Sequence, residues 1–189
     1  MANNFDIIHN TMVGEKKLQE IGRKVLSLSK TGETEVVLFV TDHGLTRFAN
    51  SQIHQNVAWE DLGVSVRVVH RVKGGGARIG VASTNSLSDS SLRDVVERAQ
   101  ELTKLQKVDP HFVSLPKPGM YPEVEKLVHK TTPEERAQAV ATIIKKARNL
   151  PAQAGKIIAS GAYDSAVTEV AIANSHGLWA YHASSANDL

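Results

Sequence analysis

Residues 45–85 read LTRFANSQIHQNVAWEDLGVSVRVVHRVKGGGARIGVASTN, and the spacing within them decides the fold class. Ile53, Gln55, Val57 and Trp59 fall on one side of a period-two pattern, and His54, Asn56, Ala58 and Glu60 fall on the other. Successive side chains of a strand point to opposite faces, so the alternation predicts strand. After Glu60-Asp61 the pattern restarts as Leu62, Val64, Val66 and Val68, breaks at residues 74–76, and returns as Ile79 and Val81. Alternating runs divided by short polar or glycine-rich breaks predict an antiparallel meander with tight connections.

Toward the N-terminus, residues 35–41 are apolar at consecutive β-branched positions, which predicts an interior strand covered on both faces. Asp42-His43-Gly44 is the expected turn from that strand into the meander. Before it, Leu18, Ile21, Val25 and Leu28 share one helical face within residues 14–30, with a stop expected at Thr31-Gly32. Toward the C-terminus, Leu92, Val95, Val96, Ala99 and Leu102 predict a second helix over 89–106, preceded by serines able to cap it. Pro110, Pro116, Pro118 and Pro122 interrupt residues 107–131, which read as a long connection hugging the surface.

Thr132-Pro133-Glu134-Glu135 carries a cap, a proline at the first helical position and a glutamate placed to reach back, so a third helix starts there. Its expected buried stripe is Ala137, Val140, Ala141, Ile144 and Ala147, and Pro151 with Gly155 ends it. Residues 156–163 and 167–181 then read as strands, with a turn at Asp164-Ser165 and a hairpin at residues 174–177. The Ala-Asn-Ser core of residues 49–51 recurs at 173–175; turn chemistry accounts for both copies, and the alternative is that two like strands pair in one sheet. The expectation is a single α+β domain over 1–189: a largely antiparallel or mixed sheet with about three amphipathic helices packed on it.

A formal charge of +2 over 189 residues, with acids and bases interspersed, gives no footprint for nucleic acid or an anionic membrane. The absence of cysteine excludes a disulfide framework, a thiolate nucleophile and Cys-ligated metal within these residues. The first ten residues lack the pattern of a secretion signal, and no apolar run reaches the ~20 residues that span a bilayer, so the expected location is cytoplasmic.

Candidate chemistry is thin. The eight histidines form no His-x-x-x-His on an expected helix; His176 and His182, flanking one strand, come nearest to a metal pair. His54 and His70 lie in the meander, and His70 continues the Val64-Val66-Val68 face as a partly buried, hydrogen-bonded side chain. The run Lys73-Gly74-Gly75-Gly76-Ala77-Arg78 could offer amides to a phosphate, but it joins two strands, whereas phosphate loops open a helix. Asp164 and Glu169 could act as paired carboxylates, or serve as a turn residue and an exposed strand residue.

Several strings occur in a telling order: residues 45–51 leading to Ile53-His54-Gln55-Asn56, then Val66-Arg67-Val68, then residues 80–87 before a helix, then Pro133 to Ala137, residues 170–178 and Ala180-Tyr181. In this order the chain resembles the N-terminal half of the TldD/PmbA family, which has carried the label of a candidate modulator of DNA gyrase. The resemblance implies a zinc-dependent peptidase about twice this length. Its peptidase partner bears a His-Glu-x-x-x-His motif beyond the N-terminal half and a Cys ligand near the far end. Neither is found in these residues, as expected for a chain whose reading frame continues past Leu189, or for the PmbA-type partner, which lacks the zinc site.

No catalytic residue and no metal ligand is therefore assigned here, and zinc is expected only in a C-terminal half of TldD type. The resemblance implies a non-catalytic domain that helps enclose a substrate cavity in a homo- or heterodimer with a TldD/PmbA-type chain. Its substrate would be an unfolded peptide, held by strand addition at a sheet edge. The expected substrate-binding residues are Asn50, Ser51, His54 and Asn56 on one strand and Asn174, Ser175 and His176 on a second hairpin. Two other readings stand beside it: a protein-interaction module linked to DNA gyrase, and a small enzyme built on His176, His182 and nearby carboxylates.

Overall fold

The computed structural model describes residues 12–119, 128–151, 155 and 157–189. In chain order the elements are α1 (Glu15–Leu28), β1 (Glu33–Ala49), β2 (Gln52–Arg71), β3 (Ala77–Thr84), α2 (Asp89–Leu105), α3 (Pro133–Arg148), β4 (Gly161–Asn174) and β5 (Trp179–Asp188). The strands form one sheet in the order β3-β2-β1-β4-β5. β2 and β3 pair antiparallel from Val64 opposite Thr84 to Arg71 opposite Ala77. Between β1 and β4, Thr34 contacts Ser175, Thr41 contacts Thr168 and Gly44 contacts Ser165. One partner's number falls as the other's rises, which makes this central pair antiparallel too. The expected α+β class holds, with an antiparallel sheet and three helices.

Three expected breaks are absent. Asp42-His43-Gly44, Glu60-Asp61 and Asp164-Ser165 all lie inside continuous strands. Each has the composition of a turn, yet tertiary partners take up its polar groups. Asp42 pairs with Lys130, and the His43 ring stacks on Trp59 with centroids 4.8 Å apart and sits 3.5 Å from the Asp61 carboxylate. Ser165 donates to the Gly44 carbonyl at 3.3 Å. The reversal falls instead at Asn50-Ser51, where φ is 52° and 59°. Two consecutive left-handed residues are what a two-residue hairpin needs to match the twist of its strands.

The helices start and stop close to expectation. Ser88 accepts from the Ser91 amide at 3.2 Å, and Thr132 and Glu135 close a reciprocal capping box. α1 ends earlier than expected, at Leu28, and Gly32 does not cap it. That glycine has φ 78° beside β2, where an added Cβ would stand 2.3 Å from the Val69 carbonyl oxygen. On α3 the buried stripe is Arg136, Val140 and Ile144, while Ala141 is exposed. β4 begins at Gly161 rather than at 156; residue 156 and the stretch 120–127 of the proline-rich connection lie outside the described residues.

The described residues divide into two compact units, one made of 12–40, 62–119 and 169–182, the other of 41–61, 128–168 and 183–189. In the first unit, Leu18, Ile21 and Val25 of α1 and Leu92, Val95, Val96 and Ala99 of α2 bury against Val36, Leu38, Val64, Val66, Val68, Ala171 and Ala173 of the sheet. Each fully buried Leu, Ile or Val contributes about 1.5–3 kcal/mol, so this cluster is the unit's main source of stability. The residues alternating with it carry charge: Arg67 pairs with Glu35 and Arg71 with Glu33, each at 2.7 Å.

Glu33 also accepts from the Ser114 hydroxyl at 3.2 Å and the Leu115 amide at 3.1 Å. Leu115 packs with Val69 and Ala77, and the Arg71 guanidinium lies over the Phe112 ring. Residues 109–116 are thereby bonded in turn to β3, β2, β1 and the end of β4, so this part of the connection hugs the sheet as expected. Burial alone would push the Glu33 carboxyl up; the Arg71, Leu115 and Ser114 hydrogen bonds outweigh it and hold the group below its usual range.

Glu169 is 1% exposed. It takes the Val13 amide at 2.6 Å, the Gly14 amide at 2.9 Å and the Tyr181 hydroxyl at 2.7 Å. Gly14 has no side chain to cap α1, so a carboxylate from the sheet does it instead. Burial, and then Glu169 itself, push the Tyr181 phenol up.

Glu169→Ala orphans two amides and a hydroxyl and should cost roughly 2–4 kcal/mol, against about 1 kcal/mol for Tyr181→Phe. Urea unfolding followed by Trp179 fluorescence measures both, and equal losses would contradict the capping role. Because the Glu33 pKa is depressed on folding, its contribution is complete above the unfolded value of 4.5 and disappears as pH falls through the lower folded value. Glu33→Gln should therefore flatten the acid limb of stability below pH 4.5, as read from thermal melts across pH.

Candidate functional site

The site lies within the second unit and starts from an incomplete pairing. β3 pairs with β2 only over Val64–Arg71, so residues 52–61 have β1 on one side and, among the described residues, no strand on the other. An unpaired strand edge presents a row of amide donors and carbonyl acceptors. His54 and Asn56 on this edge strand are exposed, and so are Ile53, Val57 and Trp59 at 37–40%. The last three share one face by their period of two.

At its N-terminal end the edge begins in the Asn50-Ser51 turn. Asn50 is exposed at the tip, while Ser51 is buried and bonded through its amide, hydroxyl and carbonyl groups. Its amide donates to the Ala159 carbonyl at 2.9 Å, its hydroxyl accepts from the Ala159 amide at 3.0 Å, and its carbonyl accepts from Arg148 Nη2 at 2.8 Å. Beside the turn is an open groove of about 610 Å³, with Ser51, Gln52 and Ile53 on one wall and Ala141, Ile144, Lys145, Arg148 and Asn149 of the α3 end on the other. Phe48 packs with Val140 and Ile144 and holds helix and hairpin together.

The side chain that fixes α3 to the hairpin is Arg136, which is only 2% exposed. Its Nε donates to Thr46 Oγ1 at 3.3 Å, and Nη1 to the Thr131 carbonyl at 3.0 Å and Ser165 Oγ at 3.4 Å. Its Nη2 donates to Asn56 Oδ1 at 3.2 Å and the Val57 carbonyl at 3.1 Å. All of these acceptors are neutral oxygens. Asn56 also takes the Thr46 hydroxyl at 2.9 Å and gives its Nδ2 to the Pro133 carbonyl at 3.1 Å. Gly44 makes room for the guanidinium, since a Cβ there would stand 2.1 Å from Arg136 Nη1.

Of the residues expected from sequence, Asn50, Ser51, His54 and Asn56 come together here, whereas Asn174, Ser175 and His176 lie in the first unit. There, buried Asn174 accepts from the His176 and Leu178 amides and donates to the Pro116 carbonyl at 2.8 Å. Ser175 Oγ accepts from the Thr34 amide at 3.0 Å, and His176 Nδ1 is 3.1 Å from the Leu115 carbonyl. Asp164 and Glu169 are not a carboxylate pair: they sit five residues apart on one strand, hence on opposite faces, the first exposed and the second buried. His70 is exposed rather than partly buried, and His182 is exposed as well. Among the described residues no group of three or more His, Cys, Asp or Glu side chains could hold a metal ion.

Sequence reasoning missed Arg136, Lys145 and Arg148 as parts of this site. Only Arg136 left a signal, being in step with Val140 and Ile144 at intervals of four, which puts a charged residue on the buried stripe.

The same fold occurs in longer proteins of known structure. Residues 34–103 match the family description "PmbA/TldA metallopeptidase domain 1". Over these residues the match bears out the resemblance to the N-terminal domain of the TldD/PmbA family. Solved structures with the same fold include TldE from Thermococcus kodakarensis, at 22% identity and TM-score 0.74, over 90% of this chain and 37% of that one. A candidate modulator of a DNA gyrase from Thermotoga maritima MSB8 is 18% identical with TM-score 0.70, over 90% and 38%. A candidate modulator of DNA gyrase from Bacteroides thetaiotaomicron VPI-5482 is 15% identical with TM-score 0.72, over 92% and 40%. The chain thus spans about two fifths of the length of these structures. No curated protein matches it.

Arg136→Ala removes a buried side chain and strands its acceptors, and should cost about 3–5 kcal/mol, while Gly44→Ala should cost about 1–3 kcal/mol by crowding the guanidinium. With Trp179→Phe as background, Trp59 reports this unit alone, and urea unfolding of both variants by its fluorescence gives the values. A change below about 0.5 kcal/mol, the range of ordinary surface substitutions, would show that Arg136 does not hold α3 in place.

Proposed function

We propose that this chain is the non-catalytic N-terminal domain of a TldD/PmbA-type, zinc-dependent peptidase of the cytoplasm that degrades unfolded peptides. In this reading it contributes to dimerisation, as a homo- or heterodimer with a TldD/PmbA-type chain, and to enclosing the substrate cavity. The observation that carries the reading is the edge of β2 ahead of Val64, which faces no strand among the described residues. A substrate segment adding there as a strand would gain main-chain hydrogen bonds, which favour any unfolded peptide with little regard to sequence. Ile53, Val57 and Trp59 would give apolar contact to every second side chain of the guest.

Asn50, Ser51, His54 and Asn56 are the proposed peptide contacts of this edge, with Asn56 doubly committed because it also holds Arg136. Asn174, Ser175 and His176 are the second proposed set. Zinc, when bound in a C-terminal half, would activate water and polarise the scissile carbonyl. In this reading the chain itself binds and orients the guest. No helix among the described residues is long and apolar enough to cross a membrane. A second reading, a protein-interaction module without enzyme activity, is favoured only by two of the similar structures being named as candidate gyrase modulators.

The test is a labelled unfolded decapeptide titrated into the chain by fluorescence anisotropy. Strand addition predicts that N-methylation of alternate peptide nitrogens weakens binding by about tenfold or more, while scrambling the sequence changes it little. Equal binding by methylated and unmethylated peptides would overturn the edge-strand reading, and peptide cleavage by the zinc-supplied chain would overturn the non-catalytic one.

A further inference from the structure

We infer that the groove between the Asn50-Ser51 turn and the end of α3 seats the terminal α-carboxylate of the extended peptide, an inference that rests on the strand-addition reading above. Continuity of the two surfaces is the first ground. Gln52 and Ile53 belong both to the open edge and to the groove wall. A guest strand paired along residues 52–61 therefore runs out into the groove at its Gln52 end. The groove's volume of about 610 Å³ is within the range of pockets that hold small ligands.

Charge is the second ground. Residues 136–163 contain no Asp or Glu but carry Arg136, Lys145, Lys146, Arg148 and Lys156. Lys145 and Arg148 line the groove, and neither forms an ion pair with a carboxylate among the described residues. Arg148 commits Nη2 to the Ser51 carbonyl, which fixes the fork and leaves its other N–H groups free to donate. Lys145 is exposed on the helix surface.

The carbonyl end of a helix would ordinarily repel an anion. Here the Lys145 and Lys146 carbonyls take the Asn149 amide at 3.2 Å, and the Ala147 carbonyl takes the Leu150 amide at 3.4 Å. The groove thus offers two cations and the Asn149 side chain around an apolar floor of Ile53, Ala141 and Ile144. A carboxylate would sit against the cations while the last side chain of the peptide covers the floor.

Anisotropy titration of the chain with one decapeptide as free acid and as C-terminal amide tests this. At low salt the free acid should bind about fivefold more tightly, a difference that 0.5 M salt erases. Lys145→Gln should remove most of the preference and Lys145→Arg should keep it; Arg148→Gln serves as a second variant, with its fold checked by circular dichroism. Equal affinity of acid and amide, with N-methylation still weakening both, would overturn the groove assignment and leave the edge-strand reading intact. A preference for the acid that N-methylation leaves untouched would overturn strand addition instead. Binding of neither peptide would overturn both.

Discussion

Register in the β1–β2 hairpin is the constraint on which the other contacts depend. A strand's side chains alternate, so slipping one residue would turn every inward side chain outward. The Asn50-Ser51 turn, left-handed at both positions, reverses the chain between the two strands. Val36 and Leu38 join Val64, Val66 and Val68 in the core of the first unit. In the second unit Thr46 comes within 2.9 Å of Asn56, and both receive Arg136. Ser51 secures the turn through three hydrogen bonds to main chain and Arg148. A residue that looks like loop chemistry is thus a buried anchor of the turn.

Each unit also buries one ionisable side chain, and the two are satisfied differently. Glu169 meets two amides and a phenol, with the positive end of α1 adding to the attraction. Arg136 meets only neutral oxygens, and what it gains is geometry: a planar fork with donors in fixed directions selects one placement of α3 among those an apolar contact would allow. Val140 and Ile144 supply burial on the same helix without that directionality.

What the sequence revealed and what it hid follow from the range of the interactions. Period-two alternation, helical periodicity and the Thr132-Glu135 box are local, and they placed the class, the helices and the hairpin strand correctly. The turns expected at Asp42, Glu60 and Asp164 failed because composition cannot show that Lys130, Trp59 or Gly44 waits across the sheet to take up a polar group. The site was half legible. Asn50, Ser51, His54 and Asn56 share one strand and read together; Lys145 and Arg148 are ordinary helix-end cations until the hairpin is laid beside them. The open edge was invisible for another reason, since it arises from β3 being shorter than β2.

Gly44 and Arg136 have a consequence for how sequences of this kind diverge. The space that a Cβ at position 44 would take is the space the guanidinium occupies, so the two positions, 92 apart, behave as a single evolutionary choice. A lineage that gains a side chain at 44 must shorten the one at 136, and with it release Thr46, Asn56 and Ser165 from their partner. A change at either position is therefore costly unless the other changes with it.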